Sequence, residues 1–301
     1  VHEQLDGAGA GAARGAEGAG DALVGGGVLG GGTREVNGVQ FAPAGLPGWA
    51  GGAVDAVAGM VVRDSRSAAA AAAARARGRR AIWFLVRDIG LAVRPRHLRV
   101  GYEPAALSID VTCTQIERRG GNLARLRLEA VFRRDGDVVA TGGGSFSCLA
   151  PQVYRRVRGA RVLARDCRRL APISAAAPRS VGRVSPMDVV LSPTGEHNRW
   201  LLRTDTRHPV LFEHAVDHVP GMVLIEAARQ ATASALGRPR YLPLGITGEF
   251  TRYTELATPC AIQARRLPGA APAGQETVLV TAVQDGAQVF ACTVTAGPHE
   301  P

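Results

Sequence analysis

From Val219 to Leu236 the chain reads VPGMVLIEAARQATASAL, a stretch with apolar or small side chains on nearly every side of a helix axis and one glutamate, Glu226, in its middle. Pro220 and Gly221 open the helix, because proline already holds a helical φ and the N–H it lacks is one of the first-turn donors that would go unpaired anyway. Asp217 stands close enough in sequence to cap that start. Met222, Val223, Leu224, Ile225, Ala227, Ala228, Ala231, Ala233 and Ala235 surround the axis. A helix that is apolar all round must be wrapped by other structure, so any fold of this chain has to enclose it.

Glu226 makes that enclosure chemically interesting. Burial disfavours a carboxylate and pushes its pKa upward, so the group must find a partner, neutralise or work. Gln230, four residues on, shares its face. Two readings stand side by side: a structural pair with Arg229 or an arginine from a neighbouring strand, and a proton-transferring carboxylate. Just upstream, RHPVLFEHAVDH supplies His208, His214 and His218, each either a hydrogen-bonding residue at the core edge or a proton carrier. No cysteine lies near them to make a structural zinc site, and neither metal nor cofactor is expected.

The spacing P-G-x-x-x-x-E-A-x-x-Q, made by Pro220, Gly221, Glu226, Ala227 and Gln230, resembles the active-site helix of the hot-dog dehydratases that act on hydroxyacyl groups carried by acyl carrier protein. The longer segment HPVLFEHAVDHVPGMVLIEAARQ is more closely similar to the A-factor biosynthesis (AfsA-type) hot-dog family, which starts γ-butyrolactone signalling molecules in actinomycetes. One departure separates the chain from the dehydratases. They place a catalytic histidine eight residues before the proline, where this chain has Phe212; His214 is six before it and His218 two.

The resemblance implies an acyltransferase that moves a β-ketoacyl group from acyl carrier protein to dihydroxyacetone phosphate. It points to Glu226, His214 and His218 as catalytic candidates and to Gly221, Met222, Gln230 and Arg229 as substrate-binding candidates. The N–H groups of Gly221 and Met222, at the positive end of the helix, suit a polarised thioester carbonyl. Glu226 or a nearby histidine would take the proton of the attacking hydroxyl. The alternatives are a non-catalytic hot-dog protein binding an acyl or lactone ligand, a pseudoenzyme, or a hot-dog dehydratase or thioesterase.

Strand-like runs follow the helix, LPLGITGEFTRYTELATPCAIQARRL and then TVLVTAVQDGAQVFACTVTA, with a hairpin signal at Asp285-Gly286. The same series occurs earlier as FLVRDIGLAV, ALSIDVTCTQIERR and LARLRLEAVFRRDGDVVATGGGSFSCL, with its turn at Asp135-Gly136. The fold class expected is therefore α+β, a double hot-dog of two tandem modules. The first module lacks its normal central helix: neither the H-x-x-D-P opening nor the E-x-x-R-Q helix that the family would place before Phe84 is present. Such a module leaves its apolar sheet face without cover.

Residues 1–83 read instead as a low-complexity Gly/Ala-rich segment. The chain has no lysine and only three asparagines, the usage of a very GC-rich gene, in which a shifted reading frame also yields Gly, Ala and Arg runs. The segment is either a frame-shifted or degenerated part of the first repeat or a low-complexity linker or tail. Strands of the first repeat then occupy 84–153, a basic connector 154–183, and the second repeat with the Glu226 helix 184–297.

The net charge of +10 is concentrated: residues 84–183 hold 19 arginines and 8 acidic residues, whereas 184–301 hold 9 and 11. Without aromatic interleaving or a helix-turn-helix or zinc pattern, this excess does not suggest nucleic acid. It suits an acidic carrier protein or a phosphorylated substrate. The five cysteines, at positions 113, 148, 167, 260 and 292, are odd in number and widely spaced, as in a reduced cytoplasmic protein. No signal-like or membrane-spanning run is evident, so neither export nor a membrane is expected.

Overall fold

The computed structural model describes residues 83–97, 106–159, 172–212, 216–269, 272 and 274–298. The Gly/Ala-rich segment and the place of a first-module helix lie outside the described residues. Four strands come first: β1 (Trp83–Val93), β2 (Ser108–Arg119), β3 (Asn122–Arg134) and β4 (Asp137–Leu149). A short helix, α1 (Pro151–Arg158), follows. Two brief strands, β5 (Leu191–Pro193) and β6 (Arg199–Leu202), lead to the long helix α2 (Gly221–Leu236). Four more strands close the series: β7 (Leu242–Phe250), β8 (Ala261–Leu267), β9 (Glu276–Gln284) and β10 (Ala287–Gly297).

These strands make one antiparallel sheet in the order β2-β3-β4-β1-β7-β10-β9-β8-β6-β5. The order repeats about its middle. β1 pairs with β4 as β7 pairs with β10, β3 lies outside β4 as β9 lies outside β10, and β1 and β7 join the halves with Leu91 opposite Ile246. Both Asp-Gly pairs are tight hairpin turns. Asp135 and Gly136 have φ of 52° and 87°, Asp285 and Gly286 have 52° and 72°, the double positive φ of the turn whose twist matches that of paired strands.

α2 is wrapped as its composition demands. Thirteen of its residues are buried, Glu226, Arg229 and Gln230 among them, and it packs on β5, β7, β8, β9 and β10. Enclosing Val223, Leu224 and Ile225 contributes about 1.5–3 kcal/mol each. Its entry differs from the sequence expectation. Pro220 takes the N-cap position without a capping side chain, and Asp217 is engaged elsewhere.

The face of the first four strands is not left open. Leu126, Leu128, Phe146 and Cys148 are 1–7% exposed and pack with Phe84, Val86 and Val111. Nor is the connector wholly solvated, because Tyr154 and Arg158 of α1 are buried. Among the described residues no helix is long and apolar enough to cross a membrane.

Candidate functional site

Polar side chains gather at two levels of α2. The first surrounds Glu226, on the second turn. Arg183 donates to it through Nε at 2.8 Å and Nη2 at 2.5 Å, while Arg229, one turn along the same helix, donates through Nε and Nη2 at 2.9 Å each. Gln230 Nε2 also donates to the carboxylate. Burial alone would raise the Glu226 pKa, but the charges of Arg229 and Arg183 and their hydrogen bonds hold it well below the usual carboxylate range. The upward shift that burial suggests is thus reversed by two paired guanidinium groups.

Gln230 is fully engaged within the protein. Its Nε2 reaches the Asp188 carbonyl at 2.7 Å as well as Glu226, and its Oε1 accepts the Val190 N–H at 3.1 Å. Arg229 also donates to the Val181 carbonyl. Arg183 is delivered by Gly182, whose φ of +69° and close approach to the Pro239 carbonyl admit no side chain.

The second level lies at the helix entry. His218 Nδ1 is 2.7 Å from Asp217 Oδ1, which also accepts from Tyr154 Oη at 2.7 Å. Arg158 Nε meets Asp217 Oδ2 at 3.0 Å, and its Nη2 donates to the Asp217 carbonyl at 2.7 Å. The same guanidinium meets Glu255 at 2.7 and 3.0 Å and lies 4.4 Å from the centre of the Tyr253 ring, with which His218 packs in a T-shaped pair. Burial would raise the Asp217 carboxyl; hydrogen bonds from His218, Tyr154 and Arg158 and the Arg158 charge keep it well below the usual range. An ionised carboxylate only accepts, so Nδ1 carries a proton, and in the neutral imidazole Nε2 is then the nitrogen with the lone pair. The His218 side chain is 26% exposed.

The remaining candidates are placed as follows. His208 is occupied on both nitrogens: Nδ1 accepts the N–H groups of Val210 and Leu211, and Nε2 donates to Asp188 at 3.1 Å. His214 lies outside the described residues. Gly221 starts α2 against the Phe250 ring, 3.1 Å from where a Cβ would stand, and Met222 packs partly buried on the core. Among the described residues no group of three or more His, Cys, Asp or Glu side chains could hold a metal ion. Sequence reasoning missed Tyr154, Arg158 and Arg183. The four-residue spacing of Tyr154 and Arg158 after Pro151 was a usable helical signal for the first two; nothing local distinguished Arg183 from the other arginines of its segment.

A family model for the A-factor biosynthesis hot-dog domain matches residues 167–298. The 2-oxo-3-(phosphooxy)propyl 3-oxoalkanoate synthase of Streptomyces virginiae is 49% identical over 219 residues, 72% of this chain and 73% of that one. Enzymes of the same name are 41% identical in Streptomyces coelicolor, over 71% of this chain and 67% of that one, and 40% identical in Streptomyces griseus, over 72% and 70%. Among solved structures, a MaoC-like dehydratase aligns over 72% of this chain and 76% of its own at 14% identity and a TM-score of 0.45. A 12:0-ACP thioesterase from Umbellularia californica does so over 73% and 77% at 12% identity and a TM-score of 0.40.

Proposed function

We propose that this chain, which belongs to the A-factor biosynthesis hot-dog family, joins a β-ketoacyl group to the hydroxyl of dihydroxyacetone phosphate. The observation that carries this reading is its 49% identity to a 2-oxo-3-(phosphooxy)propyl 3-oxoalkanoate synthase over 73% of that enzyme. That name describes the product, an ester of a 3-oxoalkanoate with the three-carbon phosphorylated ketone. The chain is accordingly an enzyme of A-factor-type biosynthesis, an acyltransferase.

The donor in this reading is a thioester on acyl carrier protein. Exposed Arg155 and Arg156 on α1, a helix without acidic residues, and the basic excess of residues 84–183 favour an acidic carrier. The N–H groups of Gly221 and Met222 polarise the thioester carbonyl at the uncapped helix start. His218 Nε2 takes the proton of the attacking hydroxyl, the new C–O bond forms as the C–S bond breaks, and the proton passes to the departing thiolate. Such a base accounts for about 10²–10⁴ in rate. His218 suits this role better than Glu226, because a carboxylate held far below its ordinary pKa is a poor proton acceptor. Glu226 instead fixes Arg183 and Arg229, with Gln230 tying the carboxylate to the backbone of Asp188 and Val190.

The mirrored strand order supports reading the sheet as two hot-dog modules, β1–β4 and β5–β10, joined edge to edge at β1 and β7. Incubating the purified chain with a β-ketoacyl carrier protein and dihydroxyacetone phosphate tests the function by mass spectrometry. A phosphorylated β-ketoacyl ester is expected, released together with free carrier thiol. Acyl-carrier binding without ester would establish the non-catalytic alternative instead.

A further inference from the structure

We infer that Tyr154 and Arg158 of α1 are positioning residues for His218, so that the proton-accepting imidazole is assembled by both halves of the chain. This rests on His218 being the base of the proposed acyl transfer. Four observations carry it. Asp217 sits between α1 and His218 with both carboxylate oxygens used: Oδ1 takes Tyr154 Oη and His218 Nδ1, and Oδ2 takes Arg158 Nε. Arg158 also holds the Asp217 backbone at 2.7 Å, so the carboxylate can neither rotate nor withdraw.

Arg158 is itself fixed from the far side. Glu255 binds its Nη1 and shares its Nη2 with the Asp217 carbonyl, and Gln284 of β9 secures Glu255 by accepting its N–H at 2.7 Å and donating to its carbonyl at 3.0 Å. Tyr253 fills the remaining space, lying beneath the guanidinium and beside the His218 ring. A purely structural Arg158–Glu255 pair needs neither the second carboxylate nor a partly exposed imidazole turned onto it.

The test measures steady-state turnover of β-ketoacyl carrier protein and dihydroxyacetone phosphate by the full chain, together with ¹⁵N NMR of the His218 ring. Tyr154→Phe removes one hydroxyl from the network without altering shape. It is expected to lower kcat about tenfold, the scale of one lost hydrogen bond, with KM within about twofold, and to shift the ¹⁵N resonance of the Nδ1–H that faces Asp217. Arg158→Lys, which keeps the charge but loses the fork, is expected to do the same. In a His218→Gln background, already slowed about 10²–10⁴-fold, Tyr154→Phe should cost nothing further. Multiplying losses in that double variant, or an unchanged kcat and Nδ1 resonance in Tyr154→Phe, would overturn the inference. Wild-type turnover in His218→Gln would instead remove the base reading, while the ring signature would still report whether Tyr154 orients the imidazole.

Discussion

Arg183 grips Glu226 through two hydrogen bonds, of 2.8 and 2.5 Å, across 43 residues of sequence. With Arg229 on the other side, the carboxylate is the shared counter-charge of two guanidiniums at the centre of the wrapped helix.

Glu226→Gln keeps the shape of the side chain but takes the shared carboxylate charge away from that pair of cations. Removing one member of a buried ion cluster costs about 3–5 kcal/mol, so the unfolding midpoint in urea should fall sharply. An unchanged midpoint would show that the carboxylate contributes no net stability.

Acid should act through the same carboxyl and through Asp217. Both are held low in the folded chain, so as pH falls the unfolded chain binds their protons first. The stability they contribute is present above the ordinary values of 4.5 and 3.8 and is lost progressively beneath them. Unfolding free energies measured from about pH 6 down to about pH 3 should therefore decline, and Asp217→Asn should flatten the slope. Equal slopes in variant and wild type would refute the assignment for Asp217.

Gly182→Ala tests how Arg183 is delivered. The added Cβ would stand 2.2 Å from the Pro239 carbonyl oxygen at a φ of +69°. The left-handed conformation alone costs an alanine about 1–2 kcal/mol, and the contact adds to it. Thermal denaturation should show a loss larger than that backbone term; a stable variant would mean that the Gly182 turn yields easily.

His208→Ala separates one histidine from another. Its ring accepts two backbone N–H groups and donates to Asp188, so its loss should cost about 1–3 kcal/mol of stability while kcat of the folded protein stays within about twofold. A selective collapse of kcat would give His208 a chemical role that its hydrogen bonds do not suggest.

The sequence by itself determined the elements whose cause is local. Consecutive apolar residues on all sides of Pro220–Leu236 require an enclosed helix, and two Asp-Gly pairs between β-rich runs require tight hairpins; both occur where the residues place them. The family resemblance was legible for the same reason, since its motif lies within one continuous stretch, 167–298 in the matched model. Tertiary structure alone decided which groups the polar side chains meet. Glu226 reads as a carboxylate strained by burial until Arg183 arrives from a turn packed on Pro239, and Asp217 reads as a helix cap until Tyr154 and Arg158 reach it from 63 and 59 residues away. Periodicity reports how a side chain faces its own element. It carries no information about which distant guanidinium the packing of that element will bring within 3 Å, and for a buried charge that partner determines whether it is a base, a cap or an anchor.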